Sequence, residues 1–502
     1  MRSVLSTSLI LLSGVSTVLA LPLNVRTLPT ITWGACADGN YTRVQCGTMQ
    51  VPIDYNNPNG PKTTLGMARL KSTSANPPLG VLLMNPGGPG GVASGVIKMA
   101  AGGSQDSVFP LSLQAKYDII GLDPRGVGLS THVKCDPAVW NARVNQFPTT
   151  QAEYNALVAH TQAVGASCAS LTGNLINFLS SMDVVKDIEV LRQVLTAGKS
   201  GSLTKLNFLA WSYGTQLAVQ YAELFPTNVG RFVLDGVVDH SLPETAALVG
   251  EATAFESTLM QFFAWCKTVS SGDCPIQSEP DLPAFFKNLV DTMNASPVMT
   301  SGCTSATCYP VDGSDILAGV AGPLTGTDSS GGWQYLAMIL QSASTGDYSD
   351  FVANKQTSNS WGGYAGQAIG CQDWLHQSAS FSDVQAKMRM AASIAPLTKG
   401  FSQSYSYQVA CIGWPTAVTN PQHPLKPAAL TAPPMLIVTA IYDPSTSISW
   451  ATGVAASLPQ SVLLTRNGWG HTSYPNNGDA QATIVNYLIT GTLPARGTIV
   501  NS

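Results

Sequence analysis

Charge is scarce in this chain. Only 11% of its 502 residues are Asp, Glu, Lys or Arg, the net charge is −4, and like charges never run together for more than a few residues. Such a surface has no electrostatic hold on nucleic acid or on an anionic membrane, so neither is expected as a partner. Beyond the N-terminus no stretch reaches the ~20 uninterrupted apolar residues that a membrane-spanning helix requires. Paired C-x-x-C spacing is absent and the six histidines are scattered, so no metal site is expected. Neither an internal repeat nor a low-complexity tract occurs.

What is present begins with an export signal. Met1 and Arg2 precede "VLSTSLILLSGVSTVLA", which closes on small residues around Val18 and Ala20. Residues 1–20 therefore read as a signal peptide, the mature chain as starting near Leu21, and the location as secreted and extracellular, with no membrane attachment once the signal is removed. Ten cysteines, an even number, suit an oxidising compartment. Cys36 with Cys46, Cys266 with Cys274 and Cys303 with Cys308 lie close enough in sequence to be expected as local bridges. Cys135 with Cys168 and Cys371 with Cys411 follow by elimination, although sequence does not fix the connectivity. Asn40 in "NYT" and Asn294 in "NAS" are glycosylation acceptors in a eukaryotic host and imply surface positions. A monomer is expected.

Short apolar runs alternate with helical periodicity. "GVLLMN" (80–85), "YDIIGLD" (117–123), "LNFLA" (206–210), "GRFVLDG" (230–236), "PMLIVTAIYD" (434–443) and "SVLLTRNG" (461–468) each read as a strand buried on both faces of a parallel sheet. "SSMDVVKDIEVLRQVL" sets Val184, Ile188, Leu191 and Leu195 on one helical face, with Ser180 or Ser181 as its expected cap. The pattern is βαβ, hence an open α/β sheet. From 241 to 430 the alternation breaks into helical stretches, aromatics and Gly- and Ser-rich loops. Inserted between two core strands, that segment is expected to cap the carboxyl ends of the sheet. The division is 21–240 for the first part of the core, 241–430 for the cap and 431–502 for the rest of the core.

In Ala210-Trp211-Ser212-Tyr213-Gly214, a strand runs straight into a helix through a tight turn, which lifts the side chain of Ser212 above the sheet. A serine at a helix start can equally be a plain cap. Two further features favour chemistry. "NPGGPGGVASG" (85–95) places a glycine-rich loop after the first core strand, where backbone N–H groups can converge on a substrate oxygen. It holds no G-K-[ST] and two of its residues are prolines, so a phosphate cradle is excluded. Asp443 in "LIVTAIYDPS" leaves one buried strand and His471 in "RNGWGHTSYP" follows another, giving the order Ser, Asp, His of α/β-hydrolase triads. Asp235 in "FVLDGVVD" also ends a strand and is the alternative acid. Asp123 in "LDPRG" is expected to order its own turn by pairing with Arg125.

Taken together, "CGTMQVPIDYNNPNG", "NPGGPGG", "YDIIGLDPRGVGLS", "WSYGTQLAVQYAELFP", "FVLDGVVD", "AIGCQDW", "CIGWP" and the tail from "YDPSTS" to "GWGH" resemble the secreted tripeptidyl-aminopeptidase-like branch of the proline-iminopeptidase clan of α/β-hydrolases. The resemblance implies an α/β-hydrolase fold with a mostly parallel central sheet and a large, mainly helical inserted cap domain. It implies a serine exopeptidase acting on peptide substrates with free N-termini, with Ser212 as nucleophile, His471 as general base and Asp443 orienting His471. The N–H of Tyr213 and one from Gly87 or Gly88 would form the oxyanion hole. Asp373, Glu244 and Glu251 are the candidates for holding the substrate's ammonium group. No metal or organic cofactor is required by this chemistry. Ala210 stands where the family usually has the first elbow glycine, which could narrow the elbow, and "PSTS" after Asp443 replaces a common Thr-Pro pair, which is expected to loosen the turn. A secreted esterase using the same triad is the alternative. A non-catalytic binding protein of this fold would be expected to have lost one of the three residues, and all are present.

Overall fold

The computed structural model describes residues 28–101, 108–326, 331–376 and 378–501. The expected signal peptide lies outside them. Ten strands form a single sheet: β1 Thr32–Gly34, β2 Val44–Pro52, β3 Lys62–Leu70, β4 Val81–Asn85, β5 Asp118–Leu122, β6 Leu206–Trp211, β7 Val229–Asp235, β8 Leu436–Tyr442, β9 Val462–Trp469 and β10 Ile499–Asn501. Their order is β1-β2-β3-β5-β4-β6-β7-β8-β9-β10, antiparallel from β1 to β5 and parallel thereafter.

Helices of eight residues or more are α1 Ala93–Ala101, α2 Gln151–Thr172, α3 Ser181–Leu195, α4 Tyr213–Leu224, α5 Glu244–Cys266, α6 Leu282–Ala295, α7 Gly313–Leu324, α8 Gly332–Ser344, α9 Trp361–Asp373, α10 Phe381–Ile394, α11 Gln403–Ala410, α12 Ile448–Ser457 and α13 Gly478–Thr490. Successive residues of each central strand feed opposite layers. Leu83, Ile120, Phe208 and Leu234 pack with Val184, Ile188, Leu217 and Tyr221 of α3 and α4. Leu82, Met84, Ile119, Leu209 and Val233 pack with Ile97 of α1 and Ile484 and Leu488 of α13. Burial on both faces is why these strands are nearly continuous apolar runs. The six expected strands are β4 to β9. Strands β2 and β3 are not among the expected strands: β2 has exposed polar residues between its buried ones, and β3, though buried at Leu65–Ala68, breaks its apolar run with Thr, Gly and Arg.

Helix α3 forms with Val184, Ile188 and Leu191 buried, as its spacing predicts. Its cap differs from expectation. Ser180 occupies the N-cap position but its hydroxyl bonds the Asp183 carboxylate rather than a backbone N–H. All ten cysteines are paired, in the five pairs expected. Asn40 and Asn294 are exposed.

The segment between β7 and β8 carries helices α5 to α11, and it is not one uniform roof. Phe255, Leu259 and Phe262 of α5, Phe286 of α6, Ile316 and Val320 of α7, and Trp333, Leu336 and Leu340 of α8 bury against one another in a core of their own. Helix α9 instead places Tyr364, Ala365, Ala368 and Ile369 in the core beneath the sheet helices. Its backbone rests on the glycine-rich loop: a Cβ on Gly90 would lie 2.6 Å from the Gly362 oxygen, and one on Gly366 would lie 2.8 Å from the Pro89 oxygen.

Candidate active site

Ser212 is the single residue between β6 and α4, and its backbone is held at φ 54°, ψ −130°. A non-glycine residue in that region is strained and persists only where its surroundings determine it. The Ser212 N–H donates to the Asp235 carbonyl oxygen at 2.9 Å, anchoring the turn to the end of β7. From the other side Gly87 presses in so closely that a Cβ there would lie 2.6 Å from Ser212 Cβ and 3.0 Å from Tyr213 N. Ala210, where the first elbow glycine is usual, is fully buried in β6 opposite Asn85 and Leu234 and is accommodated without distortion of that ladder.

Tyr213 opens α4, so its N–H lies in the first turn, where no intrahelical acceptor exists. Of the two glycines paired with it from sequence, Gly87 has already committed its N–H, to Asn85 Oδ1 at 2.9 Å. Gly88 lines the cavity above Ser212 together with Tyr213. Gly88 and Tyr213 thus remain the candidates for donating to a substrate oxygen in this cavity.

His471 Nδ1 lies 2.9 and 3.0 Å from the two carboxylate oxygens of Asp443. Its ring borders Gly236, the residue following the one that binds the Ser212 N–H: a Cβ on Gly236 would meet His471 Cε1 at 3.2 Å. Burial disfavours the imidazolium, but the Asp443 carboxylate outweighs it and holds the His471 pKa above its ordinary value. Burial likewise works against the Asp443 charge, and His471 with the N–H groups of Thr446 and Ser445 pulls its pKa below the usual range. The "PSTS" turn is not loosened. Ser445 N–H and Thr446 N–H each donate to Asp443 Oδ1 at 2.9 Å, and Thr446 Oγ1 donates to Oδ2 at 2.8 Å. Asp235 forms no ion pair with His471, whose partner is Asp443; its carboxylate accepts the N–H groups of Ser473 and Tyr474, and burial raises its pKa to about 6. Arg125 pairs with Asp187 rather than with Asp123, which is taken up by Ser94 and Leu129.

The loop that carries His471 is held from two sides. Buried Arg466 donates to the carbonyls of Trp469, Gly470 and Thr472. The His471 N–H donates to the carbonyl of Thr325, just past α7, at 2.8 Å, and Trp469 stacks on Trp333 of α8 at 4.4 Å between centroids. Neither was expected from the sequence: the reach of the insertion depends on contacts across more than one hundred residues, and the Arg466 bonds, though spanning only three to six residues, exist only once the loop has folded back on β9.

Above Ser212 lies a cavity of about 70 Å³ lined by Pro89, Val238, Ala247, Trp374, Tyr407 and Trp450, with Glu244 and Glu251 among its polar residues. A second cavity of about 290 Å³ shares Glu251, Gln403 and Ser445 with it. Glu244 is matched by Lys387 and by His376, 3.3 Å away. Glu251 accepts the N–H groups of Gln403 and Ser404 at the start of α11 at 3.1 and 2.7 Å, and burial raises its pKa to about 7. Among the described residues, Glu251 makes no ion pair. Asp373 does not serve the substrate as the sequence suggested. It is fully buried outside the cavity lining, and its carboxylate is occupied by the Tyr213 hydroxyl at 2.6 Å, Ser181 N–H at 2.8 Å, Ser181 Oγ at 2.9 Å and Asn420 Nδ2 at 3.1 Å. Cys371, Cys411 and His376 approach one another, but the two sulfurs are joined and offer no thiolate to a metal.

Two family models match the chain: one described as alpha/beta hydrolase fold over residues 80–276 and one described as TAP-like protein over residues 395–499. The chain is 28% identical over 475 residues to the serine protease Hip1 of Mycobacterium tuberculosis, covering 90% of this chain and 86% of that one. It is 26% identical over 491 residues to carboxylesterase B of the same species, covering 93% and 89%. To the tripeptidyl aminopeptidase of Streptomyces coelicolor it is 34% identical over 243 residues, 47% of this chain and 43% of the relative. With its sheet, its strained elbow and both matched regions in agreement, the chain has the alpha/beta hydrolase fold and carries a TAP-like region at residues 395–499.

Proposed function

We propose that the protein is a secreted serine exopeptidase that removes single residues or short peptides from free N-termini. Ser212 attacks the scissile carbonyl while His471 takes its proton, since a serine hydroxyl is a weak nucleophile at its own pKa. Asp443 holds the imidazole with Nδ1 toward the carboxylate and stabilises the imidazolium that forms. The N–H groups of Tyr213 and Gly88 receive the oxyanion, and water clears the acyl-enzyme. The relatives described as serine protease and tripeptidyl aminopeptidase support peptide as substrate. The five disulfides suit export.

The observation that carries the exopeptidase reading is Glu251. It is a buried carboxylate in the cavity of the nucleophile, and among the described residues it makes no ion pair, feeling only the charge of His471 from a distance, where Glu244 has two partners. A buried charge is costly unless paired, and a substrate ammonium supplies the missing partner. The relative described as a carboxylesterase keeps an ester substrate as the second reading, for which the aromatic lining of the cavity is suited. A neutral acyl group makes no use of Glu251. Free and N-acetylated peptide amides of one to three residues, assayed beside short acyl esters, decide between them. The proposal expects acetylation to lower kcat/KM by about ten- to over a hundredfold, the worth of a charge-assisted hydrogen bond. Equal rates on the two peptide forms would leave an endopeptidase or an esterase.

A further inference from the structure

We infer that Asp373 is a positioning residue for the oxyanion hole, acting through the hydroxyl of Tyr213; the inference rests on the serine-hydrolase reading of the site. Tyr213 links the elbow to the insertion. Its backbone N–H opens α4 beside the strained Ser212, and its phenol runs the other way to end 2.6 Å from Asp373 Oδ2, entirely within the protein. The direction of the N–H is fixed by the turn, and a turn of this kind keeps its shape only under external constraint. On the β7 side that constraint is the bond from Ser212 N–H to the Asp235 carbonyl. Across the elbow it is the Tyr213 hydroxyl.

The identity of the acceptor matters. Tyr213 Oη, Ser181 N–H and Asn420 Nδ2 all point donors at one carboxylate. An ionised Asp accepts only and has lone pairs for all of them, whereas an Asn would turn an NH₂ toward one of these donors. Capping α3 through Ser181 N–H alone needs no charge, and a neutral Ser or Asn serves such a cap. A carboxylate buried among neutral donors is explained by the load it carries, in which the bond to Tyr213 is the shortest. Asp373 is also the last residue of α9, whose backbone rests on the Gly88–Gly91 loop. One element of the insertion thus braces both donors of the hole: Gly88 by direct packing beside it, and Tyr213 by its side chain.

The test compares Ser212→Ala, Tyr213→Phe, Asp373→Asn and the Tyr213→Phe/Asp373→Asn double variant on one good substrate, with binding of an alkyl boronic acid, whose adduct places an oxygen in the hole. Deleting one oxyanion donor outright typically costs ~10²–10³ in rate, so misdirecting one is expected to lower kcat by about ten- to a hundredfold. KM should stay within about twofold, boronate affinity should fall in step with kcat, and the double variant should be no worse than the poorer single one. Tyr213→Phe keeps the ring and its packing, so it remains informative if Asp373→Asn does not fold. Tyr213→Phe with wild-type kcat and boronate affinity overturns the inference, as do losses that multiply in the double variant. An active Ser212→Ala would instead overturn the reading of the site on which the inference stands.

Discussion

The two halves of the insertion make an instructive pair. Residues 244–351 bury their aromatic side chains mainly against one another, so that half is a small helical body with a core of its own. In residues 361–411, α9 buries Tyr364 and Ile369 beneath the sheet helices, tied by the Cys371–Cys411 bridge, and carries Asp373 to the underside of the elbow, while Tyr405 packs in a separate cluster with α2. A body with its own core can shift as a unit at the expense of a few contacts, whereas a helix that shares the main core cannot move without opening it. The first half meets the site through Glu244, Ala247 and Glu251 in the cavity, the Thr325 carbonyl on His471 N–H, and Trp333 on Trp469. The first half supplies Glu251, the proposed ligand of the substrate amine, to a cavity that Trp374 and Tyr407 of the second half also line, and the second half reaches the serine turn through Asp373.

The sharpest way to break this comparison is to cut a cavity in each half. Phe286→Ala in α6 and Ile369→Ala in α9 should each cost about 2–5 kcal/mol, since both side chains are buried. The location of the loss should differ. Ile369→Ala is expected to lower the global urea midpoint and to take turnover down with it. Phe286→Ala should expose the 244–351 segment to limited proteolysis while unfolding of the sheet, followed in the same urea series, stays close to wild type. A single shared transition for both variants would mean that the insertion is one cooperative unit with the core.

A smaller effect, about 1.5–3 kcal/mol in kcat/KM, is expected from Glu251→Gln on peptides with free N-termini, with neutral esters little changed. The pH dependence sharpens the assignment. Burial holds the Glu251 pKa at about 7, above its ordinary value, so the carboxylate is mostly neutral at pH 6 and its hold on an ammonium should strengthen as pH rises through 7. Above about pH 8 the substrate α-amine loses its proton, so kcat/KM for free peptides should pass through a maximum between these limits. The stability term has the opposite sign. Because the folded pKa is raised, the native state binds more protons than the unfolded chain between about 4.5 and 7, and stability from this group declines across that window as pH rises. Glu251→Gln should remove that decline, and an unaltered pH profile on free peptides would show that another group binds the amine.

The smallest effect is expected at the tether between the core loop and the roof. Arg143 reaches Asp312 and Asp315 of the α7 N-terminus at 2.7 and 2.8 Å, with about a third of its side chain exposed. Exposed pairs of this kind contribute under about 1 kcal/mol and are screened by salt. Arg143→Ala should therefore shift the urea midpoint slightly, and less at high ionic strength. A loss comparable to that of Phe286→Ala would show that the first half depends on this anchor more than on its own core.

Legibility followed the range of the interactions. The doubly buried strands, helix α3 and the elbow are spelled within windows of five to fifteen residues, where period, composition and turn residues suffice. Ser212, Asp443 and His471 could be picked out because each sits at a strand end, and strand ends of a parallel sheet collect on one rim. Which oxygen holds Arg125, which of Gly87 and Gly88 keeps its N–H for the cavity, and why Asp373 is no substrate ligand were not available from spacing. Those answers come from partners 62, 2 and 160 residues away, and the near one was hidden as well, because Asn85 can bend back on Gly87 only in the geometry of the finished loop.

By itself, then, the sequence determined the alternation of strands and helices, the serine turn and the order of the three reactive groups, because hydrophobic period and turn chemistry act locally along the chain. Only the tertiary structure decided which acid each donor found, which carboxylate in the cavity makes no ion pair among the described residues, and that helix α9 of the expected roof is part of the core. A helix with apolar residues must bury them, but its own pattern does not name the surface it will cover.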